Sequence, residues 1–172
     1  MQEKEVKFLE IDPEDIIEKL EKLGAQKVFE GDIVAVYFDN RKKLAKRGIT
    51  LRLRKKGEQV ELATKERSKN KRVKICDEDE VIVNDFEAMR HILEKLGFAQ
   101  YRQITKHRIS YLLKSVRFEI DHLSPFPHWL EIEAPRISLI HTYAQKLGLQ
   151  MKDSKSWSTQ DVIEYYKKKN VT

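Results

Sequence analysis

Apolar residues recur along this chain with two periods, and the switches between them mark its elements. Residues 2–10 alternate: Val6 and Phe8 fall on one side and Glu3, Glu5 and Lys7 on the other, as successive residues of a strand do. Asp12-Pro13 then opens a helix, with Asp12 as N-cap and Pro13 at its first position. Ile16, Ile17, Leu20 and Leu23 repeat at helical spacing, and Gly24 ends it. Residues 33–39 read as a strand, and "RKKLAKRG" (41–48) as a polar connection. Residues 49–65 read as a hairpin turning at Lys56-Gly57, and 72–83 as a further strand. A second helix, capped by Asn84 or Asp85, carries Phe86, Met89, Ile92, Leu93 and Leu96 and closes at Gly97. Residues 102–113 and 116–121 form another hairpin across Lys114-Ser115, 122–128 is a proline-interrupted loop, and 129–135 is a strand stopped by Pro135. Ser138 opens a third helix that runs to Gly148, and Ser158 or Thr159 caps a fourth. "LEKLG" at 20–24 and again at 93–97 reads as a recurring helix end.

About eight strands and four helices, without a strand-helix-strand alternation, predict an α+β fold with antiparallel pairing. Closure into a barrel would remove the exposed edges. No Gly-, Ser- or Pro-rich linker divides the 172 residues, which predicts a single domain, 1–172, with a sizeable core.

Nearly every strand has one apolar and one strongly charged face. Arg52 and Arg54 share a face against Leu51 and Leu53; Arg117, Glu119 and Asp121 oppose Val116, Phe118 and Ile120. Glu131 and Glu133 flank Ile132, Glu61 and Lys65 flank Ala63, Glu78 lies two from Glu80, and Lys106 lies two from Arg108. An ordinary barrel would turn those charges outward. The amphipathic helices, however, need an apolar surface to cover. If the apolar faces point out beneath them, the charged faces line a tunnel. Such a lining would be ruinous if dry and unpaired. It becomes reasonable if it holds water, divalent cations and a polyanion. Glutamates on separate strands supply hard oxygen ligands suited to Mg²⁺ or Mn²⁺, and facing Lys and Arg would clamp phosphates.

Composition narrows the choice. Thirty-four Lys and Arg against 28 Asp and Glu give a net charge of +6, which favours anionic partners. The basic run 65–74 has no aromatics to stack bases and reads as a solvated loop, which weighs against nucleic acid. There is no apolar run of membrane-spanning length, and the chain opens on charges rather than on a signal segment. Its one cysteine, Cys76, cannot form an internal disulfide, so a cytoplasmic protein without membrane association is expected. His91, His107, His122, His128 and His141 show no metal spacing, Trp129 and Trp157 read as packing residues, and no phosphate-binding GxxxxGK[ST] loop is present.

The motif "EKEVK" resembles the ExExK signature of the CYTH family, the triphosphate tunnel metalloenzymes. The resemblance continues in order through "YFD", "TLRLRK", "ATK", "EDEV", "TKHR", "FEID", "LEIE" and "SKSW". It implies an eight-stranded antiparallel β-barrel forming a tunnel, with helices packed on the outside. It implies Mg²⁺ or Mn²⁺ as cofactor, held by Glu3, Glu5, Asp121, Glu131 and Glu133. Lys7, Arg52, Arg54, Lys65, Arg108 and Lys155 would bind a triphosphate, with Lys106, Arg117 and Glu80 as further lining. Lys7, Arg52, Arg54 and Lys65 would hold the phosphate chain and stabilise developing charge. The activity implied is hydrolysis of tripolyphosphate, ATP or thiamine triphosphate. Class IV adenylyl cyclases share the tunnel and are the near alternative; a non-catalytic polyphosphate or RNA binder is the alternative of another class. Two departures leave substrate choice open: Ala35 stands where the family often has Asp, and Cys76 where it often has Arg.

Overall fold

The computed structural model describes residues 2–67 and 74–169, with side chains for all of these except 2, 3, 67 and 74–76. The described residues form eight strands, β1 (Gln2–Leu9), β2 (Gln26–Asp39), β3 (Ile49–Lys56), β4 (Gln59–Arg67), β5 (Lys74–Val83), β6 (Ala99–Leu113), β7 (Val116–His122) and β8 (Trp129–Ala134), with β3–β5 and β6–β8 running on without a helix between them. The helices are α1 (Pro13–Lys22), α2 (Lys43–Lys46), α3 (Phe86–Lys95), α4 (Ile137–Lys146) and α5 (Thr159–Lys169), with a 3₁₀ turn at Met151–Asp153. The hydrogen-bonded strand order is β1-β5-β4-β3-β2-β6-β7-β8, a closed barrel, so the α+β antiparallel expectation holds.

Local chemistry explains the element ends. The Asp12 carboxylate accepts the backbone N–H groups of Glu14 and Asp15 at 3.0 and 3.4 Å, satisfying donors that the first turn leaves free. Asp85, rather than Asn84, caps α3 by accepting from Ala88 N at 2.8 Å. Ser158 caps α5 in a reciprocal pair: its backbone N–H donates to Asp161 Oδ2 at 2.7 Å, and Asp161 N donates to Ser158 Oγ at 3.2 Å. The repeated "LEKLG" ends α1 and α3 alike, with Gly24 and Gly97 in left-handed conformation at φ 80° and 84°.

Some boundaries differ from the sequence expectation. β2 begins at Gln26 instead of 33, and β6 at Ala99 instead of 102. The connection at 41–48 contains the short α2, because the Asp39 carboxylate gathers the N–H groups of Leu44 and Ala45 at 3.0 and 3.1 Å. Ser138 does not open its helix: α4 begins at Ile137, and Arg136 is the N-cap residue, without a side-chain hydrogen bond. The hairpin of β3 and β4 turns at Gly57-Glu58, since Lys56 pairs with Gln59.

The chain folds as two compact units. The first holds β2 from Gly31, α2, β3, β4, most of β5, α3 and β6 as far as His107. Its core joins Val36, Phe38, Leu51, Leu53 and Val60 to Leu93 of α3, with Phe86 and Met89 packed alongside. The second holds β1, α1, the later part of β6, β7, β8, α4 and α5. There Val6, Phe8, Phe118, Ile120, Leu130 and Ile132 lie under Ile16 and Leu20 of α1 and Ile140, Tyr143 and Ala144 of α4. Each large side chain so buried contributes roughly 1.5–3 kcal/mol. In both units the helices therefore cover the apolar strand faces. No helix among the described residues is long and apolar enough to cross a membrane.

Candidate functional site

Because the helices take the apolar faces, the opposite faces must carry the charges, and register places them in rows. In the second unit Lys7 stands opposite Glu131, and Glu131 opposite Glu119; Glu5 stands opposite Glu133, and Glu133 opposite Arg117. The Lys7 ammonium lies 3.1 Å from Glu5 Oε1 and in closer contact still with Glu131 Oε2. Arg108 forks onto Asp121 with two bonds of 2.6 and 2.7 Å, and reaches towards Glu119 at 3.6 Å and Glu131 at 3.8 Å. The Ser110 hydroxyl donates to Glu119. Lys155 is drawn to β1 by two backbone bonds with Lys7, each 2.8 Å, and its Nζ lies 5.7 Å from the Trp157 ring centre.

The groups around Lys7 and Arg108 are enclosed: Lys7 is 1% exposed and Asp121 0%. Burial alone would disfavour the Lys7 ammonium, but the carboxylates of Glu131, Glu5 and Asp121 outweigh it and hold Lys7 above the ordinary lysine value. Arg108 is likewise raised, burial being overcome by Asp121, Glu119 and Glu131. Among the described residues, the buried charged residues of this unit are two cations, Lys7 and Arg108, against four carboxylates, Glu5, Glu119, Asp121 and Glu131. That face thus has the hard-oxygen, cation-deficient character a divalent ion favours. Among the described residues no three His, Cys, Asp or Glu side chains converge as a ready metal cage; the Lys7 ammonium takes the place between Glu5 and Glu131.

The first unit carries a different face. Arg52 stands between Tyr37 and Ala63, with Glu80 beyond; Arg54 stands between Ala35 and Glu61; Thr50 faces Lys65, and Lys65 faces Glu78. Arg54 pairs with Glu61 and, at 3.4 Å, with Glu80. Arg52 Nη2 lies 3.2 Å from Glu78 and 3.7 Å from Glu80, and Lys65 Nζ 2.5 Å from Glu78. Burial and the neighbouring Arg54 charge pull Arg52 below the usual arginine value, against the attraction of Tyr37, Glu78 and Glu61. The Arg52 Nε is buried and has no hydrogen-bond partner among the described residues. A guanidinium held in that way suits an incoming anion.

Of the expected metal ligands, Glu5, Asp121 and Glu131 lie buried on the charged face of the second unit without converging on one point, and Glu133 is half-buried in the adjoining row. The side chain of Glu3 lies outside the described residues, as do that of Cys76 and most of the basic run 65–74. Of the expected phosphate binders, Lys7, Arg108 and Lys155 belong to the second unit, and Arg52, Arg54 and Lys65 to the first. Lys106 is half-buried on β6; Arg117 is exposed and approaches Glu119 only at 4.0 Å. Sequence reasoning placed Glu61, Glu78 and Glu119 on charged faces without giving them a part in the site, although each holds one of its cations. Ser110 was missed, though its position two residues beyond Arg108 carried the signal.

Comparison with known proteins bears on the family and the fold. No curated protein matches the sequence. Among solved structures, the chain is similar to the PH1012 protein of Pyrococcus horikoshii OT3, at 29% identity and TM-score 0.77, covering 91% of this chain and 96% of that one. A candidate adenylate cyclase of Vibrio parahaemolyticus shares the fold at 16% identity and TM-score 0.79, over 94% of this chain and 97% of that one. A candidate adenylyl cyclase of Hippeastrum with a dominant triphosphatase activity does so at 16% identity and TM-score 0.67, over 96% of both chains. The family model of the CYTH domain matches residues 1–157, from the charged strand of Glu5 and Lys7 to the segment that ties Lys155 to it. The chain therefore belongs to the CYTH domain family.

Proposed function

We propose that this protein is a divalent-metal-dependent triphosphatase, hydrolysing inorganic triphosphate or a triphosphorylated organic substrate. The observation that carries the reading is the burial of charged side chains on the strand faces, with carboxylates in excess among the described residues of one unit and an Arg-Arg-Lys set, partly to fully buried, in the other. A fold does not keep so many enclosed charges for stability, since well-packed apolar residues serve as well or better. Glu5, Asp121, Glu131 and Glu133, with Glu3, would hold Mg²⁺ or Mn²⁺, which when bound supplies charge neutralisation at the phosphates. Arg52 and Arg54 offer planar forks to phosphate oxygens, and Lys65, Lys7, Arg108 and Lys155 offer ammonium or guanidinium donors, with Lys106 and Arg117 at the margin. Held in place before reaction, such donors stabilise charge that develops on a terminal phosphoryl group.

A cyclase reading is favoured by one observation, the naming of two structural relatives for adenylyl cyclase. The Hippeastrum relative, whose dominant activity is triphosphatase, favours hydrolysis. The deciding experiment incubates the protein with tripolyphosphate, ATP and thiamine triphosphate, with Mg²⁺, Mn²⁺ or excess EDTA, and follows phosphate and cyclic AMP. The expected result is phosphate release that EDTA abolishes. Cyclic AMP with pyrophosphate from ATP would make the protein a cyclase. Binding without turnover, indifferent to metal, would make it a polyphosphate binder.

A further inference from the structure

Beside the Arg52 row lies a group that none of the phosphate-binding assignments uses. Tyr37 stands opposite Arg52 in the pairing of β2 and β3, so its ring shares the charged face. Arg102 of β6 lays its guanidinium over that ring, 4.3 Å from the centre, and lies 5.3 Å from the ring centre of Tyr101. The two tyrosine rings are 6.3 Å apart and inclined by 51°. Arg102 Nη2 lies 3.5 Å from Tyr101 Oη, and its Nε is buried without a hydrogen-bond partner among the described residues. The other arginines of this unit's charged face, Arg52 and Arg54, are ion-paired with glutamates; among the described residues no carboxylate pairs with Arg102. A guanidinium resting on one tyrosine ring, with a second, exposed ring beside it and no carboxylate paired to it among the described residues, offers a flat cationic surface on which a heteroaromatic group can stack.

We propose that Tyr37, Tyr101 and Arg102 form a stacking subsite for the aromatic head of an organic triphosphate, making a nucleotide-like substrate preferred over inorganic triphosphate. This rests on the triphosphatase reading for the phosphate tail and adds the head group. Arg102 is a specificity residue here: it acts on the head group and not on the phosphates.

The test compares ATP with tripolyphosphate in the wild type, Arg102→Ala, Arg102→Lys and Tyr101→Ala. The quantity read is the ratio of KM for ATP to KM for tripolyphosphate. Stacking on one aromatic or guanidinium plane is worth roughly tenfold or more in affinity. The ratio should therefore rise about tenfold in Arg102→Ala and several-fold in Tyr101→Ala, with kcat for ATP little altered. Arg102→Lys keeps the charge and loses the plane, so it should resemble Arg102→Ala. An unchanged ratio in Arg102→Ala overturns the proposal, whether both KM values rise or neither does. Rescue by Arg102→Lys overturns it too, by making the role one of charge. Tyr101 is exposed, so its variant keeps the test open if Arg102→Ala fails to fold. Calorimetric affinities for a non-hydrolysable ATP analogue and for tripolyphosphate give the same ratio without turnover. A protein that hydrolyses neither but binds the analogue through Arg102 would sink the triphosphatase reading and keep the subsite. One that binds neither would sink both.

Discussion

Arg108 and Asp121 show what an enclosed charge demands. Asp121 is 0% exposed, and its two oxygens are taken by the two arms of one guanidinium. Removing one partner leaves the other charge in a medium that cannot solvate it. Arg108→Ala is therefore expected to cost about 3–5 kcal/mol in denaturant unfolding, and Asp121→Ala added to it should restore part of that loss. Lys7 makes a prediction in pH. Its folded value lies above its unfolded one, so the native state binds the proton more tightly. Its stabilisation is whole below the ordinary lysine value of about 10.4 and is lost as pH rises beyond it. Unfolding midpoints from about pH 9 to about pH 12 should fall more steeply for the wild type than for Lys7→Met. Parallel curves would mean that the cage around Lys7 contributes nothing. Which residues share a face was legible from alternation alone. Which cation meets which carboxylate was not, because that depends on register between strands distant in sequence, as in Lys7 with Glu131.

At the scale of the element, capping decides where helices begin. Asp85 holds a backbone N–H of α3, whereas Ser138 lies inside the first turn of α4 and caps nothing. Asp85→Ala should cost about 1 kcal/mol in chemical denaturation, and Ser138→Ala should fall within about 0.5 kcal/mol of zero. Equal costs would contradict the capping assignment. The hairpins were legible because alternation flanked a short polar turn at Lys114-Ser115 and near Gly57. The start of β2 was not: "QKVFEGD" breaks alternation with Gly31, and the strand is held through it by its neighbours rather than by local preference. The short α2 was hidden for another reason, since its anchor, the Asp39 side chain, reaches forward from the end of a strand.

At the scale of the molecule, the sequence carried the antiparallel barrel and the covering of apolar faces by helices, because both follow from period and amphipathicity. It did not carry the substrate. Ala35 does stand on the charged face, opposite Arg54, so the departure from the family pattern falls among the charges, where it bears on ligand choice rather than on folding. The head-group platform of Tyr37 and Arg102 joins strands far apart in the chain and left no local signal.

The central claim is that the buried charged faces are a working surface for a metal-bound triphosphate. Phosphate release from tripolyphosphate with Mn²⁺, in the wild type, Glu5→Gln and Arg54→Ala, tests it most directly, with each variant shown to be folded at the assay temperature. Loss of one such preorganised group should lower turnover by about 100-fold or more in each variant. Release within about threefold of the wild type in either folded variant would contradict the account.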